Sequence, residues 1–91
     1  GGAGGTGGGG AGSDGGTPTN GTANTGGGGG ASANSSTVGA NGGSGLVILR
    51  YPNTYTLSQS GLTTSNINTA IGGTTDKYTT ITAGTGTVSF A

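Results

Sequence analysis

Cysteine, histidine, methionine and tryptophan are absent from this 91-residue chain, and only four side chains carry charge, two basic and two acidic. Without cysteine there is no disulfide framework and no thiolate metal site. Without histidine or cysteine, the Ser-His-Asp and Cys-His arrangements of nucleophilic catalysis cannot be assembled. The two carboxylates, Asp14 and Asp76, lie far apart in the sequence. They do not read as the facing pair that glycoside hydrolysis uses. Asp14, beside Gly15-Gly16, reads as a turn residue rather than a metal ligand. Asp76-Lys77 reads as a solvated pair at a loop tip. The expectation is a protein that is not an enzyme and needs no cofactor or metal. Net charge is zero, so the chain lacks the basic footprint that draws nucleic acid or anionic membrane. Its longest run of large apolar residues, Leu46 to Leu49, is far shorter than the ~20 residues of a membrane span, and membrane insertion is not expected. Neither a signal-peptide pattern nor an initiator methionine is present, so a processed product or a segment of a longer polypeptide is expected.

Glycine is what the chain has in place of these residues. Of its 26 glycines, 21 lie at or before Gly45, and the only large apolar residue in that stretch is Val38. Residues 1–45 therefore cannot build a hydrophobic core. A flexible linker is the plain reading of such composition. The ordered alternative is a bundle of polyproline-II-like glycine helices, with about three residues per turn and ~3.1 Å rise. Chains without Cβ atoms approach closely enough for main-chain hydrogen bonds between such helices. Ordering each residue costs roughly 1–2 kcal/mol, and a net hydrogen bond returns only about 0.5–1.5 kcal/mol. A bundle thus requires many lateral neighbours and nearly complete pairing of N–H groups. Residues 1–12 and 25–32 read as glycine helices, 13–24 and 33–41 as loops containing Pro18 and Asn20-Gly21, and 42–45 as the lead into a strand. Asp14, Thr17, Asn20 and Asn34 are the candidate loop contacts. Collagen is excluded because there is no strict G-X-Y repeat.

Residues 46–91 read as β-structure. Their apolar side chains make a modest core, too small to stand alone, so association with other chains is expected. LVILRY is apolar on both faces, as a buried central strand would be, and Pro52-Asn53 stops it. Tyr55 and Leu57 fall on one face of a second run. Ile71-Gly72-Gly73 is a turn signal. YTTIT and TVSFA read as two short strands joined through Ala83-Gly84-Thr85-Gly86 into a hairpin. No helical periodicity persists anywhere. The fold expected is mainly β and irregular: polyglycine-II-like helices over 1–45, packed on a small antiparallel β layer over 46–91, as one folding unit.

Glycine motifs for phosphate binding fail on order. The dinucleotide fingerprint needs a strand, then glycines, then a helix. Here the glycines come first and no helix succeeds them. The P-loop needs Gly-Lys-Ser/Thr, and the single lysine, Lys77, stands elsewhere. Asn20-Gly21-Thr22 and Asn34-Ser35-Ser36 fit the glycosylation sequon, at a frequency chance explains in so Asn-, Ser- and Thr-rich a chain.

GGSGLVILRYP, residues 42–52, resembles the closing segment of glycine-rich domains in tailed-bacteriophage and marine viral structural proteins. There a polyglycine tract ends in GGSG followed by an apolar strand and Arg-Tyr. Those positions are here Gly42 to Gly45, Leu46 to Leu49, Arg50, Tyr51 and Pro52. ITAGTGTVSFA, residues 81–91, is similar to the terminal hairpin of that family. One departure is the apolar strand that usually precedes the glycines, which would either lie outside this sequence or be supplied by another chain. The resemblance implies a virion structural protein, a tail-fibre or appendage component that binds a host-surface receptor through its loops, located on the virion or outside cells. A self-assembling extracellular filament or matrix protein is the alternative, and an ice-binding protein the second. Leu46, Val47, Ile48, Leu49 and Tyr51 are the expected assembly residues. Partners are other copies or other chains of the assembly, with no nucleic acid.

Overall fold

The computed structural model describes every residue except Ser36 and divides the chain into two units, residues 1–45 and residues 46–91. No α-helix occurs among the described residues, and the only sheet among them is three-stranded and antiparallel.

In the first unit the main chain of the described residues forms neither helix nor strand, apart from one isolated parallel bridge between Ser13 and Ser32. Its backbone groups are nonetheless paired across the sequence. Residues 8–13 and 17–22 run antiparallel, with Thr19 N–H donating to the Ala11 carbonyl (3.0 Å) and Thr22 N–H to Gly8 (2.8 Å). Residues 8–13 and 26–33 run parallel, through Gly10 N–H to Gly28 (2.8 Å) and Ser13 N–H to Ala31 (3.0 Å). Residues 26–33 and 38–44 run antiparallel, through Ala40 N–H to Gly30 (2.9 Å) and Gly43 N–H to Gly27 (2.7 Å). In each of these pairs the two donors stand three residues apart. Further bonds tie Gly12 to Gly2, Gly21 to Asn41 and Gly30 to Thr19. The tract 8–13 therefore bonds to three others, as do 17–22 and 26–33. A strand in a sheet has only two lateral neighbours, because its N–H and C=O groups lie in one plane.

Close approach is possible only because side chains are missing where tracts meet. A methyl group at Gly4, Gly10, Gly21, Gly27, Gly30 or Gly43 would overlap a backbone carbonyl of a neighbouring tract, whereas Gly2, Gly5 and Gly28 face open space. The boundaries differ from those expected. The chain already reverses at residues 5–8, where Gly8 takes φ 96° and its N–H bonds to the Gly5 carbonyl (3.3 Å). The stretch expected as one helix over 1–12 is thus two tracts. Residues 17–22, expected to be loop, are a paired tract, with Pro18 buried. A run of glycines carries no punctuation, so nothing in its sequence marks the reversal.

The second unit holds β1 (Val47–Pro52), β2 (Leu57–Ala70) and β3 (Asp76–Phe90) in the order β1-β3-β2. β1 is an edge strand, not the central strand its apolar sequence suggested. It pairs only with the first part of β3, from Val47 opposite Ile81 to Pro52 opposite Asp76. Val47 and Ile48 are 52% and 60% exposed, while Tyr51 is buried. The central place goes to β3, whose Thr79 and Thr80 are buried by neighbours on both sides.

The hairpin expected at Ala83–Gly86 is absent, because β3 continues straight through it. Its glycines serve a bend instead. Register shifts fall between Ser60 and Leu62 and between Ser65 and Thr69. Gly61 and Gly84 take φ 81° and 106°, and a methyl at Gly86 would overlap the Ser60 carbonyl. Such bulges kink a ribbon. One contact sets the size of the bend. Phe90 lies thirteen residues beyond Lys77, the partner of Tyr51, or about 43 Å along a straight strand at ~3.3 Å per residue. Yet the Tyr51 and Phe90 rings meet edge to face with centroids 5.0 Å apart. The β2–β3 ribbon folds back on its own base.

A polar knot closes the fold-back. Asn68, in the left-handed region at φ 50°, accepts from Leu57 N–H (2.9 Å) and donates to the Leu57 carbonyl (3.0 Å) through its side-chain amide. It thereby acts as a strand partner for Leu57. The Tyr51 hydroxyl donates to Asn68 Oδ1 (2.7 Å) and lies 2.7 Å from the Thr79 hydroxyl, which accepts from Asn68 N–H (2.9 Å). No buried side-chain polar atom among the described residues lacks a partner. Full satisfaction is the condition for such a network to stabilise rather than destabilise a core.

Candidate functional site

The first unit presents a groove of about 510 Å³ lined by Thr17, Pro18, Asn20, Thr37, Val38, Gly39, Ala40 and Asn41. It brings together two of the four expected loop contacts. Asn20 shapes it directly, since its Oδ1 accepts from Asn41 N–H (3.0 Å) while Gly21 N–H donates to the Asn41 carbonyl (2.9 Å). Val38 projects from the same region with 85% of its surface exposed. The lining is neutral, made of hydroxyl, amide and small apolar groups. Asp14 and Asn34 lie outside it. Asp14 sits in an exposed bend with its carboxylate against the Gly1 amine. Asn34 is exposed in the connection between tracts 26–33 and 38–44, where its carbonyl accepts from Thr37 N–H (3.1 Å). The sequon that starts at Asn34 ends at Ser36, outside the described residues.

The expected assembly residues lie together on and next to β1. Leu46, Val47 and Ile48 are exposed, Leu49 is half-buried, and Tyr51 is buried in the knot with Asn68 and Thr79. Within its sheet β1 has a neighbour on one side only, and among the described residues no strand pairs with its other side.

A second concavity belongs to the β unit. Arg50, Tyr51, Pro52, Tyr55 and Phe90 line an apolar cleft of about 410 Å³. Arg50 Nε donates to Asp76 Oδ2 at 2.8 Å, so Asp76 is an ion-pair partner at the start of β3 rather than half of a solvated pair at a loop tip. Lys77, cross-strand from Tyr51, places its ammonium 6.0 Å from the Tyr51 ring centroid. Tyr55 precedes β2 instead of sharing a strand face with Leu57, and it is exposed where Leu57 is buried. Sequence reasoning missed this cluster. Arg50-Tyr51-Pro52 is visible as a local motif, but no pattern signals that Phe90 returns to Tyr51.

No group of three or more acidic, histidine or cysteine side chains that could hold a metal occurs among the described residues. No helix among them is long and apolar enough to cross a membrane. Comparison with protein-family models, with curated proteins and with solved structures returned no match.

Proposed function

We propose that the chain is a non-enzymatic structural protein of a virion, a tail-fibre or appendage component whose glycine unit is a bundle of polyglycine-II-like helices. One observation carries the reading: three of the tracts, 8–13, 17–22 and 26–33, bond to three neighbours each, and paired tracts use donors spaced three residues apart. Three residues per turn is the period of the polyproline-II family, and it turns successive N–H groups toward different neighbours. Some positions that tolerate no Cβ, Gly27 and Gly30 or Gly1 and Gly4, stand three residues apart, although Gly29 is blocked by the Ala40 carbonyl as well. A bundle of this kind is a stiff mount for the connections at its ends, and the groove with Thr17 and Asn20 is the receptor-facing surface in this reading. The resemblance of residues 42–52 to viral glycine-rich domains supplies the setting.

Assembly through β1 belongs to the same proposal. The exposed Leu46, Val47 and Ile48 beside an unpaired strand edge are suited to another chain that adds a strand. These open edges also favour the second reading, a self-assembling extracellular filament. The test is immunogold labelling of the particle and filament fractions of the native source, with antibodies raised against the 91-residue chain. Label on the appendages of virus particles is expected. Label on free filaments, with bare particles, would overturn the virion reading in favour of the filament.

A further inference from the structure

Arg50 and Lys77 are the only basic residues in the sequence, and Tyr51, Tyr55, Tyr78 and Phe90 are its only aromatic ones. Three of those four rings line the cleft of the β unit together with Arg50, and the Lys77 ammonium lies 6.0 Å from the ring of Tyr51. Core packing accounts for Tyr51. It does not account for Tyr55 and Phe90, which leave 49% and 46% of their surfaces exposed.

Arg50 is oriented for a ligand. Its Nε is held by Asp76, and the terminal Nη groups make no hydrogen bond with the described residues. A guanidinium steadied at Nε presents its remaining donors as a planar fork, which matches the two oxygens of a carboxylate. Arg50, Lys77 and Asp76 together leave one positive charge at the cleft. Exposed aromatic faces carry negative electrostatic potential and attract the weakly positive C–H face of a saturated ring.

The geometry points to an acidic-sugar site: a uronic acid residue of a surface polysaccharide, its carboxylate on Arg50 and its C–H face against Tyr55 and Phe90. A volume near 410 Å³ is of small-ligand size. Nucleic acid fits poorly, because its binding rests on several phosphate contacts, and Arg50, already paired with Asp76, is the one cation in the cleft's lining, with Lys77 beside Tyr51. An acidic peptide supplies the carboxylate without the saturated ring. That the polysaccharide belongs to a host surface rests on the receptor-binding reading above, whereas the binding site itself does not.

The test is titration of the whole 91-residue chain with a glucuronic acid tetrasaccharide, its carboxyl-reduced neutral form and an acidic tetrapeptide, followed by amide chemical shifts. Saturable shifts at Arg50, Tyr55, Lys77 and Phe90 are expected with the glucuronate. The neutral form should bind at least about tenfold more weakly, as should the variants Arg50→Lys and Tyr55→Ser, a difference of ~1.4 kcal/mol. Both substitutions alter exposed side chains, and far-UV circular dichroism checks that the fold is kept. Thr87→Ala, at an exposed position of β3 outside the cleft, should leave saccharide binding unchanged. The site is overturned by no saturable shift with the glucuronate, by equal affinity for the neutral form, or by tighter binding of the tetrapeptide. Saccharide binding alongside label on free filaments would overturn the virion reading alone. Labelled appendages without saccharide binding would overturn this site alone.

Discussion

Gly28 and Gly30 stand two residues apart in the same tract, and replacing each with alanine should have opposite effects. Gly30 is buried, its N–H donates to the Thr19 carbonyl (3.0 Å), and its carbonyl accepts from Ala40 N–H (2.9 Å). A methyl there would overlap the Ala11 carbonyl, with Gly12 N also in its way. Since the obstacle is backbone, relief requires tract 26–33 to move away from tract 8–13. That movement stretches the parallel bonds from Gly10 to Gly28 and from Ser13 to Ala31. Gly10 and Ser13 are half-buried and Gly28 and Ala31 exposed, so each bond counts at its net value of about 0.5–1.5 kcal/mol, and disturbing two should cost Gly30→Ala about 1–3 kcal/mol. Gly28 has no heavy atom within 4 Å of the added methyl and is not in the left-handed region. Gly28→Ala restricts the unfolded chain without straining the folded one and should stabilise by about 0.4–1 kcal/mol. Urea unfolding of both variants, monitored in the far ultraviolet, gives the comparison. If Gly30→Ala stays within about 0.5 kcal/mol of the parent, the glycine tracts are not packed as described.

Removing the Asn68 amide should be severe, because Leu57 N–H, the Leu57 carbonyl and the Tyr51 hydroxyl all depend on it. Asn68→Ala should cost roughly 3–5 kcal/mol and Asn68→Gly somewhat less, since glycine accepts φ 50° without strain, with denaturant midpoints ranking the two. Thr79→Val keeps the volume but deprives Asn68 N–H and the Tyr51 hydroxyl of a partner, for about 1–3 kcal/mol in the same assay. Arg50→Met should change stability by less than about 1 kcal/mol, since its ion pair with Asp76 is half-exposed, and any effect should vanish at high salt. Ile48→Ala should also leave the unfolding midpoint of isolated chains nearly unchanged, because Ile48 is 60% exposed, while it lowers self-association in sedimentation. Unaltered sedimentation would remove β1 from the assembly interface.

The β-character of residues 46–91 could be read directly, because apolar β-branched residues cluster beyond Gly45. Pro52-Asn53 and Ile71-Gly72-Gly73 end strands as their chemistry requires. LVILRY misled because apolar residues on both faces favour a strand without fixing its place in the sheet, and β3, with a neighbour on each side, takes the centre. Ala83–Gly86 misled for a related reason. Glycine suits a turn, but it equally suits a place where two backbones nearly touch, as Gly86 does with Ser60. The groove was half legible: Thr17 and Asn20 were marked by their place among turn-forming residues, while Val38 was hidden by its isolation. The cleft was not legible, since Phe90 reaches Tyr51 only through bulges whose bend no local pattern encodes.

The glycine unit has a thermal consequence. Heat capacity rises on unfolding when apolar surface meets water, by about 0.45 cal/mol/K per Å², and falls when polar surface does, by about 0.26. The one large apolar side chain of this unit, Val38, is already exposed in the folded state. Unfolding it releases mainly peptide groups, so the two contributions approach cancellation and the stability curve loses most of its curvature. Hydrophobic cores weaken on cooling, but a scaffold tied together by main-chain hydrogen bonds has little of that driving force to lose. Such a unit should hold its shape in cold water, where a conventional domain of equal size drifts toward its lower unfolding limit.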